Sequence, residues 1–268
     1  YSDRLRDILI RLNHIGIGRF ISTILLLINT IKDEEDISSI LEEIERTIFI
    51  QSFTPYRFYT MPDSFFKRNC LDLALKIKNK ETTPKEAVNI IHKETTELTS
   101  NSLFVKELPD SMKWTGGFYN WEIIRYFLYE YEMHLKALTK NQQNKITWDD
   151  YKNKEIDFVS VEHIYPQHAR NPYWTSRFGH YSQRQKEIIR NSLGNLLPLS
   201  KKKNSSLSNK PFPEKARGTG KNFITYEFGS YSEIEVARQQ DWTPESIQER
   251  GLRLLDFMES RWRINIGS

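Results

Sequence analysis

Apolar residues in the first half of the chain recur at spacings of three and four positions, which is the period of an amphipathic helix. This pattern predicts helices at four segments: 20–28, 37–48, 66–77 and 121–138. Another helix should begin at Thr83-Pro84, because proline is favoured at the first helical position and Glu86 is placed to complete a capping box. We therefore predict that residues 1–150 are helical.

The pattern changes in the second half, where short segments have strand character. Residues 156–161 alternate apolar and polar side chains and are rich in β-branched residues, so we predict a strand that ends at Glu162-His163. A second strand is predicted over 193–199, with a tight turn or bulge at Gly194-Asn195. Helices are predicted at three further segments: 182–191, 201–209 and 243–262. Together these elements predict a mainly α fold with a small β-hairpin.

A polar stretch over residues 142–148 separates the two patterns. Such a stretch is typical of a linker, so we expect a domain boundary near residues 145–155. The predicted organisation is an α-helical linker or scaffold region at 1–150, followed by a second domain at 151–268.

The composition excludes several classes of protein. With 38 % hydrophobic and 28 % charged residues, the chain has too much apolar surface to be disordered. Its longest apolar run, residues 24–28, is much shorter than the roughly 20 residues that a membrane-spanning helix needs. The single cysteine, Cys70, excludes an internal disulfide and a multi-cysteine zinc site, so a metal here must be bound by oxygen or imidazole. Because the chain begins at Tyr1 without a signal-peptide core, we expect a fragment of a longer cytoplasmic protein.

Positive charge is concentrated in the second half. Residues 1–150 have 20 lysines and arginines against 22 acidic residues, whereas residues 151–268 have 19 against 13. Within 163–221 the counts are 12 and 2, a local charge of +10. An excess of this size is typical of a surface that binds a polyanion such as nucleic acid. A solvated basic face without a partner is the alternative.

Candidate chemistry lies inside this basic segment, where three of the six histidines fall between residues 163 and 180. A carboxylate, Glu162, directly precedes His163, and Asn195 and Asn204 follow at the second strand and the next helix. Phosphodiester hydrolysis needs these residue types. Oxygen ligands hold a hard divalent cation on the phosphate, and a neutral imidazole deprotonates the attacking water. A structural histidine at a strand end is the alternative for His163.

Three ordered motifs resemble those of the HNH (His-Asn-His, or ββα-metal) endonucleases. The more specific resemblance is to the C-terminal nuclease domain of GmrSD-type modification-dependent restriction endonucleases and their phosphorothioate-sensing Ssp relatives. The motifs are Val-Glu-His-Ile-Tyr-Pro-Gln at 161–167, Leu-Gly-Asn-Leu-Leu-Pro-Leu at 193–199 and Asn-Ser-Ser-Leu-Ser-Asn-Lys-Pro-Phe at 204–212. This resemblance implies an HNH finger embedded in helices and preceded by an α-helical region.

The resemblance also implies a role for each matching residue. His163 matches the general base, and Glu162 and Asn204 match the metal ligands, with Asn209 as the alternative to Asn204. Asn195 matches the residue that ties the finger together and holds the catalytic histidine in place. Oxygen ligands favour Mg²⁺ (or Mn²⁺) as the cofactor.

The same segment supplies the residues that are expected to contact DNA. The predicted nucleic-acid contacts are Arg170, Lys201, Lys202, Lys203, Lys210 and Lys215. His168 and His180 are expected to lie at the surface or against a phosphate.

The resulting hypothesis is a metal-dependent HNH endonuclease that nicks or cleaves double-stranded phage DNA. It would be the effector part of a cytoplasmic antiphage restriction protein with no membrane association. The family's N-terminal nucleotide-using or modification-sensing domain has an Asp-Gly-Gln-type motif, which does not occur in this sequence. A non-catalytic DNA-binding module is the alternative from another class, and an RNase would share the same chemistry.

Overall fold

The computed structural model describes most of the chain. Its described residues are 1–18, 20–53, 63–100, 116–140, 143–152, 160–218 and 224–266. Contacts between Cα atoms divide the chain into two compact units: the first unit, residues 1–111 with 262–267, and the second unit, residues 112–261. The predicted mainly α fold with a small antiparallel hairpin is confirmed. No helix in the described ranges is long and apolar enough to cross a membrane.

The first unit is helical, as the apolar spacing predicts. Its helices are α1 (Asp3–Ile15), α2 (Ile21–Thr30), α3 (Glu34–Gln51), α4 (Asp63–Lys78) and α5 (Pro84–Ser100). The predicted capping box at α5 is present, because the N–H of Thr83 donates to Oε2 of Glu86 (2.8 Å) and the N–H of Glu86 donates to Oγ1 of Thr83 (3.3 Å). The core that these helices share consists mostly of leucine and isoleucine.

The second unit combines short helices with the hairpin. Its elements are α6 (Ile124–Ala137), α7 (Trp148–Lys152), β1 (Ser160–His163), α8 (Pro172–Phe178), α9 (Gln183–Arg190), β2 (Leu196–Leu199), α10 (Lys201–Leu207), α11 (Phe212–Ala216), α12 (Tyr231–Ala237) and α13 (Pro244–Trp262). Helix α6 contacts β2 and α12. The boundary that we predicted near residues 145–155 falls within the range of this unit, and the assignment of residues 151–268 to a separate domain stays a prediction.

The hairpin forms where the second half of the sequence changes pattern. Strand β1 ends at His163 and pairs antiparallel with β2, so that His163 lies opposite Leu196. The first part of the predicted strand, 156–159, lies outside the described residues. Strand β2 begins at Leu196 and is shorter than predicted, because residues 193–195 form a 3₁₀ turn.

Serine N-caps fix the start of each of the two helices that flank β2. Ser182 completes a capping box at the start of α9, the helix that the sequence predicts at 182–191. Ser200 caps α10, which ends at Leu207 and is thus slightly shorter than predicted. Because α10 follows β2 directly, Asn204 lies about one helical turn beyond the end of the hairpin.

Helix α13 fixes the turn ahead of β2. A Cβ atom on Gly194 would overlap the backbone carbonyl oxygen of Ile247 and lie 2.7 Å from the backbone nitrogen of Gly251, so this close approach requires glycine. The buried guanidinium of Arg250 donates hydrogen bonds of 2.8 Å to the carbonyls of Gly194 and Leu196. The long helix thereby holds both the turn and the first residue of the strand.

Candidate active site

The hairpin and helix α10 line an open cleft of about 480 Å³. Glu162 and His163 line it from β1, and Lys201 and Asn204 line it from α10. Asn209, which the sequence offers as the alternative to Asn204, lines the same cleft. The fold therefore brings the residues that the resemblance assigns to base and metal ligands to one solvent-reachable place.

His163 is only 5 % exposed, and its ring is held on two sides. Its Nε2 atom lies 3.0 Å from Oδ1 of Asn191, and the ring of Tyr119 packs against it at a centroid distance of 4.2 Å. Burial lowers the pKa of His163 to about 4. The hydrogen bond to Asn191 opposes this shift, and the charges of Arg190 and Lys215 add to it. The imidazole is therefore neutral around neutral pH, which is the state that a general base needs.

Glu162, the neighbour of His163 on β1, is paired with a buried lysine. The Nζ atom of Lys215 lies 2.6 Å from Oε1 of Glu162 and donates a second hydrogen bond of 3.2 Å to the carbonyl of Ile164. Burial raises the pKa of Glu162 and lowers the pKa of Lys215, while the pairing opposes both shifts. The prediction that Lys215 contacts DNA does not agree with this position, because its ammonium group is fully buried on a carboxylate.

The side-chain amide of Asn195 is fully buried and makes four hydrogen bonds. Its oxygen accepts from the N–H of Tyr165 (2.7 Å) and from the indole Nε1 of Trp242 (3.1 Å). Its nitrogen donates to the carbonyls of Tyr165 (3.1 Å) and Arg190 (2.8 Å). Asn195 therefore joins the segment after β1 to the end of α9 and to the segment before α13, and these four hydrogen bonds do not include His163.

A family model covers this whole arrangement. The model described as GmrSD restriction endonucleases, C-terminal domain, matches residues 106–257, which is more than half of the chain. The chain belongs to this family. Comparisons with curated proteins and with solved structures find no match. The GmrSD match includes Tyr119 as well as the hairpin and α10, so it contains every residue that lines the cleft.

The cleft of the GmrSD C-terminal domain offers oxygen ligands for a metal. Over the described residues, no three His, Cys, Asp or Glu side chains are grouped as a metal site. The residues that line the cleft include Glu162, Asn204 and Asn209, whose side chains contain carboxylate or amide oxygens. This donor set fits a hard cation such as Mg²⁺ or Mn²⁺, which takes few protein ligands and keeps several waters. Since Lys215 is bonded to Oε1 of Glu162, a cation would share that carboxylate with it.

The basic residues that we predicted to bind DNA separate into exposed and buried positions in this domain. The exposed ones are Arg170, Lys201 and Lys202. The side chain of Lys203 is 15 % exposed and forms an ion pair with Glu233. Lys210 is half-buried, and Lys215 is fully buried. Only part of the predicted basic surface is therefore open to a phosphate backbone.

Sequence analysis missed two neighbours of His163, Tyr119 and Asn191. Tyr119 lies ahead of the predicted domain boundary, and Asn191 was assigned only as the end of a helix. The adjacent glycines Gly116 and Gly117 are the sequence signal for this loop, because a Gly-Gly pair indicates a tight turn. In the structure both glycines have positive φ (77° and 83°). A Cβ atom on Gly117 would lie 2.7 Å from Cβ of Asn191, so the loop that presents Tyr119 packs directly on Asn191. His168, expected at the surface or against a phosphate, is exposed and lines the cleft.

Proposed function

We propose that this chain is a metal-dependent HNH endonuclease that hydrolyses phosphodiester bonds in double-stranded DNA. The observation that carries the proposal is the neutral, buried His163 beside Glu162, at a cleft that Asn204 also lines. The match to a restriction endonuclease domain supports a nucleic-acid substrate.

In this proposal His163 is the general base. Its neutral imidazole takes a proton from the water that attacks phosphorus, and then holds that proton on the ring. A pKa of about 4 makes the free imidazole a weak base. A phosphodiester bound in the cleft brings negative charge close to the ring, which raises the pKa of His163 and strengthens it as a base.

Glu162 and Asn204 are the proposed ligands of Mg²⁺ (or Mn²⁺). When bound, the cation neutralises charge on the phosphate and on the leaving oxygen. Lys215 fixes the carboxylate of Glu162, because its ammonium group is itself held by the carbonyl of Ile164. Asn195 holds the two segments on either side of the hairpin together.

The exposed basic residues are the proposed contacts with DNA phosphates. Lysine acts as a mobile point charge that carries little sequence information, so Lys201 and Lys202 on α10, with Arg170, are expected to position DNA over the cleft. Lys203 and Lys210 are weaker candidates, because the side chain of the first is only 15 % exposed and the second residue is half-buried.

The proposed biological role is that of the effector part of a cytoplasmic antiphage restriction protein. Phage DNA is the proposed substrate, and a separate nucleotide-using or modification-sensing domain is the proposed partner.

The proposal is tested with supercoiled plasmid incubated with the chain and Mg²⁺, Mn²⁺ or EDTA. We expect relaxed circles with either metal and intact plasmid with EDTA, and linear product only if two chains act together. His163→Ala should lower the cleavage rate by about 10²–10⁴-fold, the usual contribution of a general base. DNA affinity should stay within a few-fold, because it comes mainly from contacts between basic residues and phosphate.

His180→Ala is the matched control, since His180 is an exposed histidine of the same unit that lies apart from the cleft. It should cut at the parent rate. If His163→Ala also cuts at the parent rate, His163 is a structural histidine. A parent chain that binds plasmid but never cuts it would favour a DNA-binding module, and cleavage of structured RNA alone would favour an RNase.

A further inference from the structure

We propose that Asn191 is the positioning residue that fixes the tautomer of His163, so that Nδ1 is the nitrogen which accepts the proton from water. The proposed chemistry of Nδ1 rests on the nuclease function above. The assignment of the tautomer rests on the geometry alone and is tested separately.

The first step is the contact between the two side chains. Nε2 of His163 lies 3.0 Å from Oδ1 of Asn191, which is hydrogen-bond distance. An amide oxygen only accepts hydrogen bonds, whereas a neutral imidazole has one N–H and one bare nitrogen. Nε2 must therefore carry the proton, which leaves Nδ1 with the lone pair. Within the described part of the chain, Nε2 makes the only side-chain hydrogen bond of His163.

The second step is that the backbone of Asn191 is held independently of its side chain. Its N–H donates to the carbonyl of Glu187 (3.0 Å) at the end of α9, and its carbonyl accepts from the N–H of Phe118 (3.0 Å). Gly117 packs against its Cβ atom in a backbone conformation that favours glycine. The side chain of Asn191 therefore extends toward His163 from a fixed base, and a substitution there keeps these backbone contacts.

The third step is that Tyr119 restricts the ring. The Tyr119 ring packs on the imidazole at 4.2 Å between centroids and lines the same cleft. Phe118, the neighbour of Tyr119, donates a hydrogen bond to the backbone carbonyl of Asn191. The same short segment therefore contacts both the imidazole of His163 and the residue that is bonded to its Nε2. With Tyr119 packed on one side of the ring and Nε2 bonded to Asn191, Nδ1 is the nitrogen left for a water in the cleft.

The tautomer is measured by nuclear magnetic resonance on the full chain without metal, using ¹⁵N-labelled histidine. Long-range ¹H–¹⁵N spectra distinguish a protonated ring nitrogen from a bare one, and His163→Gln identifies the signals of His163. We expect protonated Nε2 and bare Nδ1 in the parent chain. In Asn191→Leu, which has a similar size and no acceptor, the signals should shift toward a mixture of tautomers. Bare Nε2 in the parent chain, or an unchanged tautomer in Asn191→Leu, would overturn the proposal.

The plasmid assay supplies the functional readout. Asn191→Leu should lower the cleavage rate by about 10–100-fold, the usual cost of losing a residue that orients a catalytic ligand, with DNA affinity unchanged. Asn191→Asp retains an oxygen acceptor and should cut within a few-fold of the parent, assayed at about pH 8 so that the added charge does not protonate the ring.

These outcomes separate the two proposals. A parent chain with the expected tautomer that does not cut any nucleic acid would contradict the nuclease function and leave the role of Asn191 on His163 intact. A parent chain that cuts, with Asn191→Leu cutting equally fast, would contradict the role of Asn191 and leave the nuclease function intact. Thermal unfolding should show both variants folded at the assay temperature, with a small loss of stability for Asn191→Leu, because this change leaves the buried Nε2 of His163 without a partner.

Discussion

Both units bury charged side chains, but they place them in different surroundings. In the first unit, Arg46 of α3 is bonded to Glu43 (3.4 Å) and to the backbone carbonyls of Trp262 (2.8 Å) and Arg263 (3.0 Å). These hydrogen bonds hold Trp262 and Arg263, which belong to the same unit, to α3. In the second unit, the equally buried pair of Glu162 and Lys215 lies beside a cleft and next to a neutral histidine.

The difference teaches that burial of charge does not by itself identify a functional site. Removing charged groups from water costs free energy in either unit, and hydrogen bonds must offset that cost. The Arg46 cluster uses its donors on backbone carbonyls, which is what a structural tie requires. The Glu162 carboxylate instead has one oxygen on Lys215 and lines a cleft with Asn204, which is what a ligand-binding position requires.

Removal of Lys215 should give the largest change in stability. Lys215→Met leaves the Glu162 carboxylate buried without its cation, and breaking a buried pair from one side costs about 3–5 kcal/mol. Urea unfolding of the full chain should show a loss of this size in the free energy of unfolding. The exposed Lys202→Met is the matched control and should change it by less than about 0.5 kcal/mol. Equal stability of the two variants would show that the pair contributes nothing.

The double variant Glu162→Gln/Lys215→Met separates structure from function. It should recover most of the lost stability, because neither charge is left without a partner. It should still fail to cut plasmid, because the carboxylate that we propose as a metal ligand is gone. A double variant that cuts normally would remove Glu162 from the proposed metal site.

Cleavage should distinguish Glu162 from Glu43, the buried glutamate that is bonded to Arg46. Glu162→Gln should lower the cutting rate on the order of 100-fold at low Mg²⁺, with partial recovery at high Mg²⁺ if the remaining ligands still hold the cation. Glu43→Gln, in the first unit, should leave the rate within a few-fold of the parent. The measurement is a metal titration of plasmid nicking at a temperature where all variants are folded. Loss of cutting in both variants would mean that stability, and not the cleft, controls the rate.

Acid should weaken the second unit through His163. Its folded pKa is about 4, whereas an ordinary histidine in the unfolded chain titrates at about 6.5. Between these values the unfolded state binds the proton first, so the free energy of unfolding falls as the pH decreases from about 6.5 toward 4. The loss at pH 5 should be about 2 kcal/mol, since each pH unit between the two pKa values is worth about 1.4 kcal/mol.

The check is a set of urea titrations between about pH 8 and pH 5. His163→Gln should remove the part of the pH dependence that belongs to this side chain, while His180→Gln, an exposed surface change, should follow the parent. If the parent and His163→Gln lose stability in parallel, burial of the imidazole is not responsible.

Local sequence signals predicted the helices of this fold well. The Thr83–Glu86 capping box and the Ser182 cap each depend on residues three positions apart, so they form wherever the chain begins a helix. The alternating pattern likewise predicted that β1 ends at His163. Each of these features is decided by neighbours along the chain.

Tertiary partners account for what the sequence did not predict. Lys215 meets Glu162 across 53 positions, and lysine is ordinarily exposed, so no local pattern indicates its burial. The polar stretch at 142–148 looks like a linker, yet Glu132 ahead of it accepts hydrogen bonds from the N–H groups of Tyr231 and Ser232 in the same unit. Such hydrogen bonds are visible only once the helices have packed.

The smallest effect concerns which lysines meet DNA. Each of the exposed residues Lys201 and Lys202 should displace about one counterion from the DNA when it contacts a phosphate. The double variant Lys201→Ala/Lys202→Ala should therefore flatten the log–log salt dependence of DNA affinity by roughly 0.9 for each contact that is lost. Lys203→Ala should change the slope much less, because its side chain is only 15 % exposed. The measurement is fluorescence anisotropy of labelled duplexes across a salt series, with several unrelated sequences to establish that the weakening is uniform.

The control for this salt series comes from the first unit. Lys76 and Lys78 are exposed lysines on α4, and Lys76→Ala/Lys78→Ala removes the same charge as the α10 double variant. A general loss of positive charge would flatten both slopes equally, because long-range attraction depends on net charge. Local binding of phosphate at α10 would flatten only the slope of Lys201→Ala/Lys202→Ala. Equal slopes in the two double variants would therefore mean that the α10 lysines are ordinary solvated charges and that DNA reaches the cleft by another surface.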